Sequence, residues 1–428
     1  MYTTSEFLSF LDRGVSPAHA VANAAALLSS CGFSVLGYGE PWTLTPGGKY
    51  YVPVFDNSLV AFALSQHVCA SDGIRIAASH TDWPCLHIKP EPELLSGGCL
   101  RLNIEPYGGA IYASWLDRPL SLAGTVALRG RDPLHPEVRL VSWDRPVLTI
   151  PNLAVHMNRE VNNGVALKAN VDLLPICRTA ERTWSKDGYL LSKLAERLCV
   201  LPEEILSFDL CAFNAEKSEQ IGFEEDLLSA PRLDNLTSVY GCIRALADSP
   251  CSRGINVAVL YDNEEIGSNT KQGADSAMLG SILEKLCLSL GLDRAAFLDA
   301  CANGMLLSCD VAHAAHPNHM EKLDPVCQSV MNGGVTLKMN FNQRYPTDAV
   351  SVAVVEQLCR DHSIPVQRFM NRADLRGGGT IGAMASALLG MRAVDVGVPI
   401  LAMHSARELM GIRDEEALTR LIAAFYSA

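Results

Sequence analysis

The chain has 428 residues, 48% of them hydrophobic and 19% charged, with a net charge of −12, and its mean hydropathy of +0.13 is that of an ordinary globular protein. This length suits two domains, or one domain with an insertion, better than a single simple core. The acidic balance and the lack of a long basic run argue against nucleic acid as a partner, and no uncharged apolar run reaches the ~20 residues that span a bilayer.

In chain order, "MYTTSEFLSFLDRG" places acids at Glu6 and Asp12 and lacks both a basic region and a cleavable apolar core. It reads as an amphipathic helix, not as a signal peptide. "SPAHAVANAAALLSSCGF" predicts a second helix with Ser16 as N-cap, Pro17 in the first turn and Gly32 as the stop. "PGGKYYVPVF" reads as a hairpin arm, and "GIRIAAS" (73–79) as an apolar strand that runs into "HTD". From about residue 94 to 218 apolar and polar residues alternate between Gly and Pro turns, as in a β-rich module. After Asp234 an α/β rhythm returns: helix "NLTSVYGCIRALAD", strand "INVAVL", a helix near "SAMLGSILEKLCLSL", strand "GMLLS", and further elements up to a strand "VPILAM". The expected architecture is an α/β domain made of residues 1–93 and 219–428, interrupted by a smaller module at 94–218. The 14 cysteines are scattered singly, with no CxxC pair, which is the usage of reduced thiols in a cytoplasmic protein.

The chemistry gathers at strand ends. "GIRIAAS" ends in His80 and Asp82, "INVAVL" in Asp262, Glu264 and Glu265, "GMLLS" in Asp310, and "VPILAM" in His404, while Asp234 opens a helix. Each has a bland alternative: an aspartate at a helix start is commonly an N-cap, and a histidine after a strand commonly a hydrogen-bonded loop residue. The joint pattern is harder to credit to chance, because the carboxyl ends of strands in an open α/β sheet line the ligand crevice. A buried cluster of four acids would require cations. Two imidazoles and several carboxylates form a hard N/O shell that suits zinc, cobalt or manganese.

These residues lie within a longer resemblance. "FLSFLDRGVSPAHAV", "WTLTPGGKYY", "ASHTDWP", "SLAG", "IPNLAVHMNR", "SAPRLDNL", "DNEEIGS", "QGADS", "SCDVAHAAHPN", "KMNFNQRY", "GGGTIG" and "VDVGVPILAMHSARE" resemble the aspartyl aminopeptidases, cocatalytic dizinc exopeptidases, and run in that family's order from residue 7 to 408. The resemblance implies a central mixed sheet flanked by helices, with the inserted β-rich module serving dimerisation and the dimers building a tetrahedral dodecamer. It implies two divalent metals per subunit, zinc first: one held by His80, Asp234 and Asp310, the other by Asp234, Glu265 and His404. Asp82 would orient His80, and Glu264 would act as general base on the water between the metals. On the substrate side it implies His156 reaching a neighbouring subunit's active site, and His313 near the peptide. An N-terminal Asp or Glu needs a cation, for which Lys338 is the choice and Arg344 the runner-up. The substrate would be a peptide with an acidic N-terminal residue. The alternatives are a neutral or broad preference, or a non-catalytic homologue, against which the complete residue set argues.

Several features point elsewhere or depart from the family pattern. "GGGTIG" (377–382) fits GxGxxG, with Asp395 near the position of a ribose-binding acid, but "NRADLR" leads into it instead of an apolar strand. His313 and His316 have helical ligand spacing, and HExxH is absent. "FDNSLV" replaces an expected pair of serines after Asn57, and Arg376, Gly377 and Gly379 replace usual residues, so the departures touch substrate loops and leave the metal set whole.

Overall fold

The computed structural model describes residues 3–180, 185–375 and 377–428; Arg376 lies outside the described residues. The chain divides into two units, one of residues 1–82, 218–403 and 408–428, the other of residues 83–217 and 404–407. The expected boundary at 93/94 falls inside the strand Cys85–Ser96.

The first unit is built on a nine-stranded mixed sheet flanked by helices. At its centre Ile255–Tyr261, Ile74–His80, Met305–Cys309 and Arg392–Gly397 lie side by side and parallel. Their sequences are short apolar runs, as strands covered on both faces require. Along Ile255–Tyr261 the odd positions Val257, Val259 and Tyr261 join one apolar cluster with Ile76, Ala78, Met278, Ile282, Phe297 and Ile381. The even position Asn256 faces the other way and donates to the carbonyl of Tyr426 at 2.9 Å, on the helix Asp414–Ser427. That second face is covered by Leu233–Asp248, which packs on Ile74–His80, Ile255–Tyr261 and Asp414–Ser427. Outward from Ile255–Tyr261 come the antiparallel hairpin arms Ser58–Leu64 and Lys49–Val54; outward from Arg392–Gly397 come Val335–Met339, antiparallel to it, and Val366–Met370.

The N-terminal helices form as their caps dictate. Thr4–Arg13 begins where the Thr3 side chain accepts the amide of Glu6, and Pro17–Ser30 where Ser16 accepts the amide of His19. The segment "VPILAM" departs from expectation. It contributes only Pro399–Leu401, to a separate five-stranded sheet, and the central strand of this region is Arg392–Gly397. Asp395 interrupts that strand's apolar run, which is why its periodicity is weak.

The second unit is a six-stranded antiparallel sheet in the order His135–Ser142, Leu120–Asp132, Ile205–Asn214, Cys85–Ser96, Cys99–Tyr107, Ile176–Thr179. The helix Tyr189–Leu198 packs on Cys85–Ser96 and His135–Ser142. Among the described residues no helix is long and apolar enough to cross a membrane.

Candidate metal centre

Strand order brings the site together. Ile74–His80 lies between Ile255–Tyr261 and Met305–Cys309, so His80, the Asp262–Glu265 turn and Asp310 emerge from adjacent parallel strands at one sheet edge. Tyr261 and His80 are register partners, and the amide of Thr81 donates to the carbonyl of Tyr261 at 2.8 Å. Asp234 arrives from the helix Leu233–Asp248, after Arg232 in a left-handed conformation (φ 62°). Its helix start is tied to the sheet by Asn235 Nδ2, which donates to the carbonyl of Cys309 at 2.9 Å, and by Glu408, whose Oε2 accepts the amide of Asp234 at 3.1 Å.

His80, only 1% exposed, points its Nε2 at two carboxylates, 3.6 Å from Asp234 Oδ1 and 3.5 Å from Asp310 Oδ1. Its Nδ1 is 3.0 Å from the carbonyl of Asp82 and 3.4 Å from Asp82 Oδ1, which suits a proton on Nδ1 and a lone pair on Nε2. Asp82 also accepts the amide of Glu264 on Oδ1 at 3.2 Å and that of Glu265 on Oδ2 at 3.1 Å. One buried carboxylate therefore orients the histidine and clamps the turn that carries both glutamates.

Three lone-pair donors that face one another in a buried space require a proton or a cation between them. The separations of 3.5–3.6 Å are close to the about 3.3 Å between ligands of a tetrahedral ion bound at ~2.0–2.1 Å. The surrounding charges make the same point. Burial, reinforced by neighbouring carboxylates and only partly offset by His80, pushes Glu264 up to about 8. Burial and the charge of Asp234 hold Glu265 well above the ordinary range. Burial disfavours a charge on His80, but its hydrogen bonds to Asp310 and Asp82 outweigh that and raise it well above its ordinary value. A cation relieves all three. The donors present fit a divalent metal, and His80, Asp234 and Asp310 are the residues able to hold it.

His404 belongs to the second unit, where its Nδ1 is 3.2 Å from the carbonyl of Gly109. His156 is exposed in a segment of that same unit. His313 is exposed, with its ring 5.9 Å from that of Phe369, and His316 is exposed beside His319. Arg344 is exposed in the turn after Val335–Met339. Lys338 is 2% exposed, and its Nζ lies 2.7 Å from Asp395 Oδ1 and 3.5 Å from Asp310 Oδ2, an ion-pair row inside the protein. Asp395, fully buried and bound also to Thr380, is closed to a ribose.

Two further residues shape the site, neither of them among the candidates read from the sequence. Asn57 donates to Asp262 Oδ2 at 3.2 Å and accepts Thr81 Oγ1 on its carbonyl at 2.8 Å, joining three loops behind His80. Gly397 lies so close to Asp310 that a Cβ there would be driven into the carbonyl oxygen of Asp310.

An α/β sheet with a buried His/Asp/Asp cluster at its strand ends defines a candidate metallohydrolase. Residues 10–426 match the family of the aminopeptidase I zinc metalloprotease (M18). A probable M18 family aminopeptidase 2 of Clostridium novyi (strain NT) is 42% identical over 424 residues, covering 99% of this chain and 98% of the relative. One of the same description from Ectopseudomonas mendocina (strain ymp) is 38% identical over 425 residues, covering 98% and 97%. Among solved structures, a chain in the cryo-EM structure of the Ape4 and Nbr1 complex superposes with a TM-score of 0.95 at 33% identity, covering 99% of this chain and 85% of that one. The Saccharomyces cerevisiae mApe1 dodecamer gives 0.86 at 28% identity, covering 99% and 96%. The chain belongs to the M18 family of zinc metallo-aminopeptidases.

Proposed function

We propose that the protein is a two-metal aminopeptidase that releases N-terminal residues from peptides, with a preference for Asp and Glu. The observation that carries the reading is the buried convergence of His80, Asp234 and Asp310 in a chain of a zinc metalloprotease family. In this reading those three hold one ion, and Asp234 is shared with a second ion that Glu265 and His404 complete. Zinc is the expected metal, and cobalt or manganese suits the same N/O shell.

When bound, the metals lower the pKa of water and polarise the scissile carbonyl. The protein's own groups do the rest. Glu264, on the same turn as Glu265, takes the proton of the attacking water and returns it to the leaving amine. Asp82 fixes the tautomer of His80 and the position of that turn. His313 and Arg344, both exposed, are the candidates for the substrate side.

Acidic preference is supported by the motif resemblance along the chain. One observation favours a second reading, the same chemistry with neutral or broad specificity: Lys338 is committed to internal carboxylates. A panel of Asp, Glu, Ala and Leu chromogenic substrates, assayed on metal-free protein after addition of zinc, cobalt or manganese, separates the two. A kcat/KM at least ~10-fold higher on Asp and Glu, equivalent to about 1.4 kcal/mol, is the expected result. Equal rates support the second reading, and no turnover on any substrate with two ions bound would sink both.

We also propose self-assembly to a tetrahedral dodecamer through the β-rich unit, with His156 serving a neighbouring subunit. The yeast relative named above is a dodecamer. In this chain the segment around His156 exposes Leu153, Val155, Met157, Val165 and Val171, and a run of apolar side chains left in water is what a subunit interface covers.

A further inference from the structure

We infer that Lys338 and Asp395 are a buried positioning pair for the carboxylate of Asp310, anchored at its far end by Thr380 of the Gly-rich loop. The inference rests on the reading that His80, Asp234 and Asp310 hold zinc.

Lys338 and Asp395 are register partners on the antiparallel strands Val335–Met339 and Arg392–Gly397. Asp310 follows Met305–Cys309, the next strand in the sheet. The three side chains thus form a row across adjacent strands, and all are buried. Lys338 Nζ donates to the carbonyl of Val311 at 3.1 Å and to Asp310 Oδ2 at 3.5 Å. It also lies 2.7 Å from Asp395 Oδ1, an ion pair between two buried side chains. An ammonium has three N–H groups in total, and Val311, Asp310 and Asp395 offer one acceptor each within reach of Lys338 Nζ. The ring of Tyr345, 5.1 Å away, covers the ammonium further.

This row decides how Asp310 presents itself. Lys338 holds Oδ2, and the opposite oxygen, Oδ1, faces His80 Nε2 at 3.5 Å. A carboxylate pinned at one oxygen offers the other in a fixed direction, which is how outer partners tune metal affinity. Asp395 holds Lys338 in turn. Its Oδ2 accepts Thr380 Oγ1, and its amide donates to Thr347 Oγ1 at 3.1 Å, a hydroxyl that donates onward to the carbonyl of Lys338 at 2.7 Å. Thr380 stands at the N-cap position of the helix Ile381–Leu389, inside "GGGTIG", so the loop that mimics a dinucleotide motif is linked through Asp395 and Lys338 to the metal-site acid.

The test compares the unsubstituted protein with Lys338→Met and with the double variant Lys338→Met/Asp395→Asn. Zinc affinity is read by competition with a chromogenic chelator, stability by thermal unfolding of the metal-free protein, and kcat on Asp and Leu substrates. Lys338→Met leaves Asp395 buried beside an apolar chain, so its melting temperature should fall. The double variant removes that orphan charge and should recover stability while zinc binding stays ~10–100-fold weaker, with equal loss of kcat on both substrates. The double variant also serves if Lys338→Met alone does not fold. Zinc affinity that is unchanged, or that recovers together with stability, overturns the inference. A loss confined to acidic substrates overturns it too and returns Lys338 to the substrate. If the unsubstituted protein binds no zinc, the metal reading itself fails, a result distinct from these.

Discussion

Asp82 Oδ2 accepts the backbone amide of Glu265 at 3.1 Å, so the residue placed to orient one proposed ligand, His80, also fixes the peptide that carries another. Asp82→Asn keeps the shape but presents only one acceptor, and its NH₂ group must face a backbone N–H. A hydrogen bond to a charged group contributes about 1.5–3 kcal/mol. The variant should fold, bind zinc ~10–100-fold more weakly and lose kcat in similar proportion. Titration of the metal-free variant with zinc measures this, and wild-type affinity would show that Asp82 is a bystander.

Glu264 and Asp234 should respond differently to loss of charge. Glu264→Gln should keep its metal and lose ~10²–10⁴ of kcat, since an amide cannot accept the proton. Asp234→Asn should lose metal outright, because it weakens the donor that the proposed ions share. Elemental analysis beside steady-state kinetics distinguishes them; near-normal turnover in a fully metallated Glu264→Gln would remove Glu264 from the base role.

Acid sensitivity should have a component remote from the site. Burial lowers the pKa of His19 from 6.5 to about 4, with its Nδ1 2.8 Å from Ser16 Oγ at the cap of Pro17–Ser30. Because the folded value is depressed, the unfolded chain binds the extra proton first. The contribution is therefore complete above pH 6.5 and is lost as pH falls from 6.5 towards 4. At about 1.4 kcal/mol per unit of pKa shift, the loss is on the order of 3 kcal/mol. The difference in unfolding free energy between wild type and His19→Gln should shrink over that interval; a constant difference would mean that His19 does not titrate with folding.

Assembly should depend on the exposed apolar segment of the β-rich unit. Met157, 75% exposed, and Val155 are the points at which a charge would disturb a subunit contact most. Val155→Asp/Met157→Asp should lower the mass seen by light scattering without lowering the melting temperature of the subunit. Mixing Glu264→Gln with His156→Ala subunits should restore part of the activity if His156 acts across subunits. A fully active monomer of the unsubstituted protein would contradict both expectations.

Much of this was legible in the sequence because it is local. Ser16 and Pro17 mark a helix start wherever they fall, and the runs ending at His80, Tyr261 and Cys309 are strands by composition. That polar groups of metal-binding type follow those runs could be read directly, and so could the family. Tertiary structure alone decided which groups meet. Lys338 reads as a solitary lysine between apolar residues until the strand order sets it beside Asp395 and Asp310. "VPILAM" reads as a strand of the α/β domain, yet the place in the central sheet goes to Arg392–Gly397, with Asp395 within it and Gly397 against Asp310. Asn57 looks like a turn residue and closes three loops behind the histidine. The periodicity of a sequence determines which face of a strand is apolar; which strand lies beside it, and hence which buried charge finds its counter-charge, depends on a global order of pairing that no local pattern encodes.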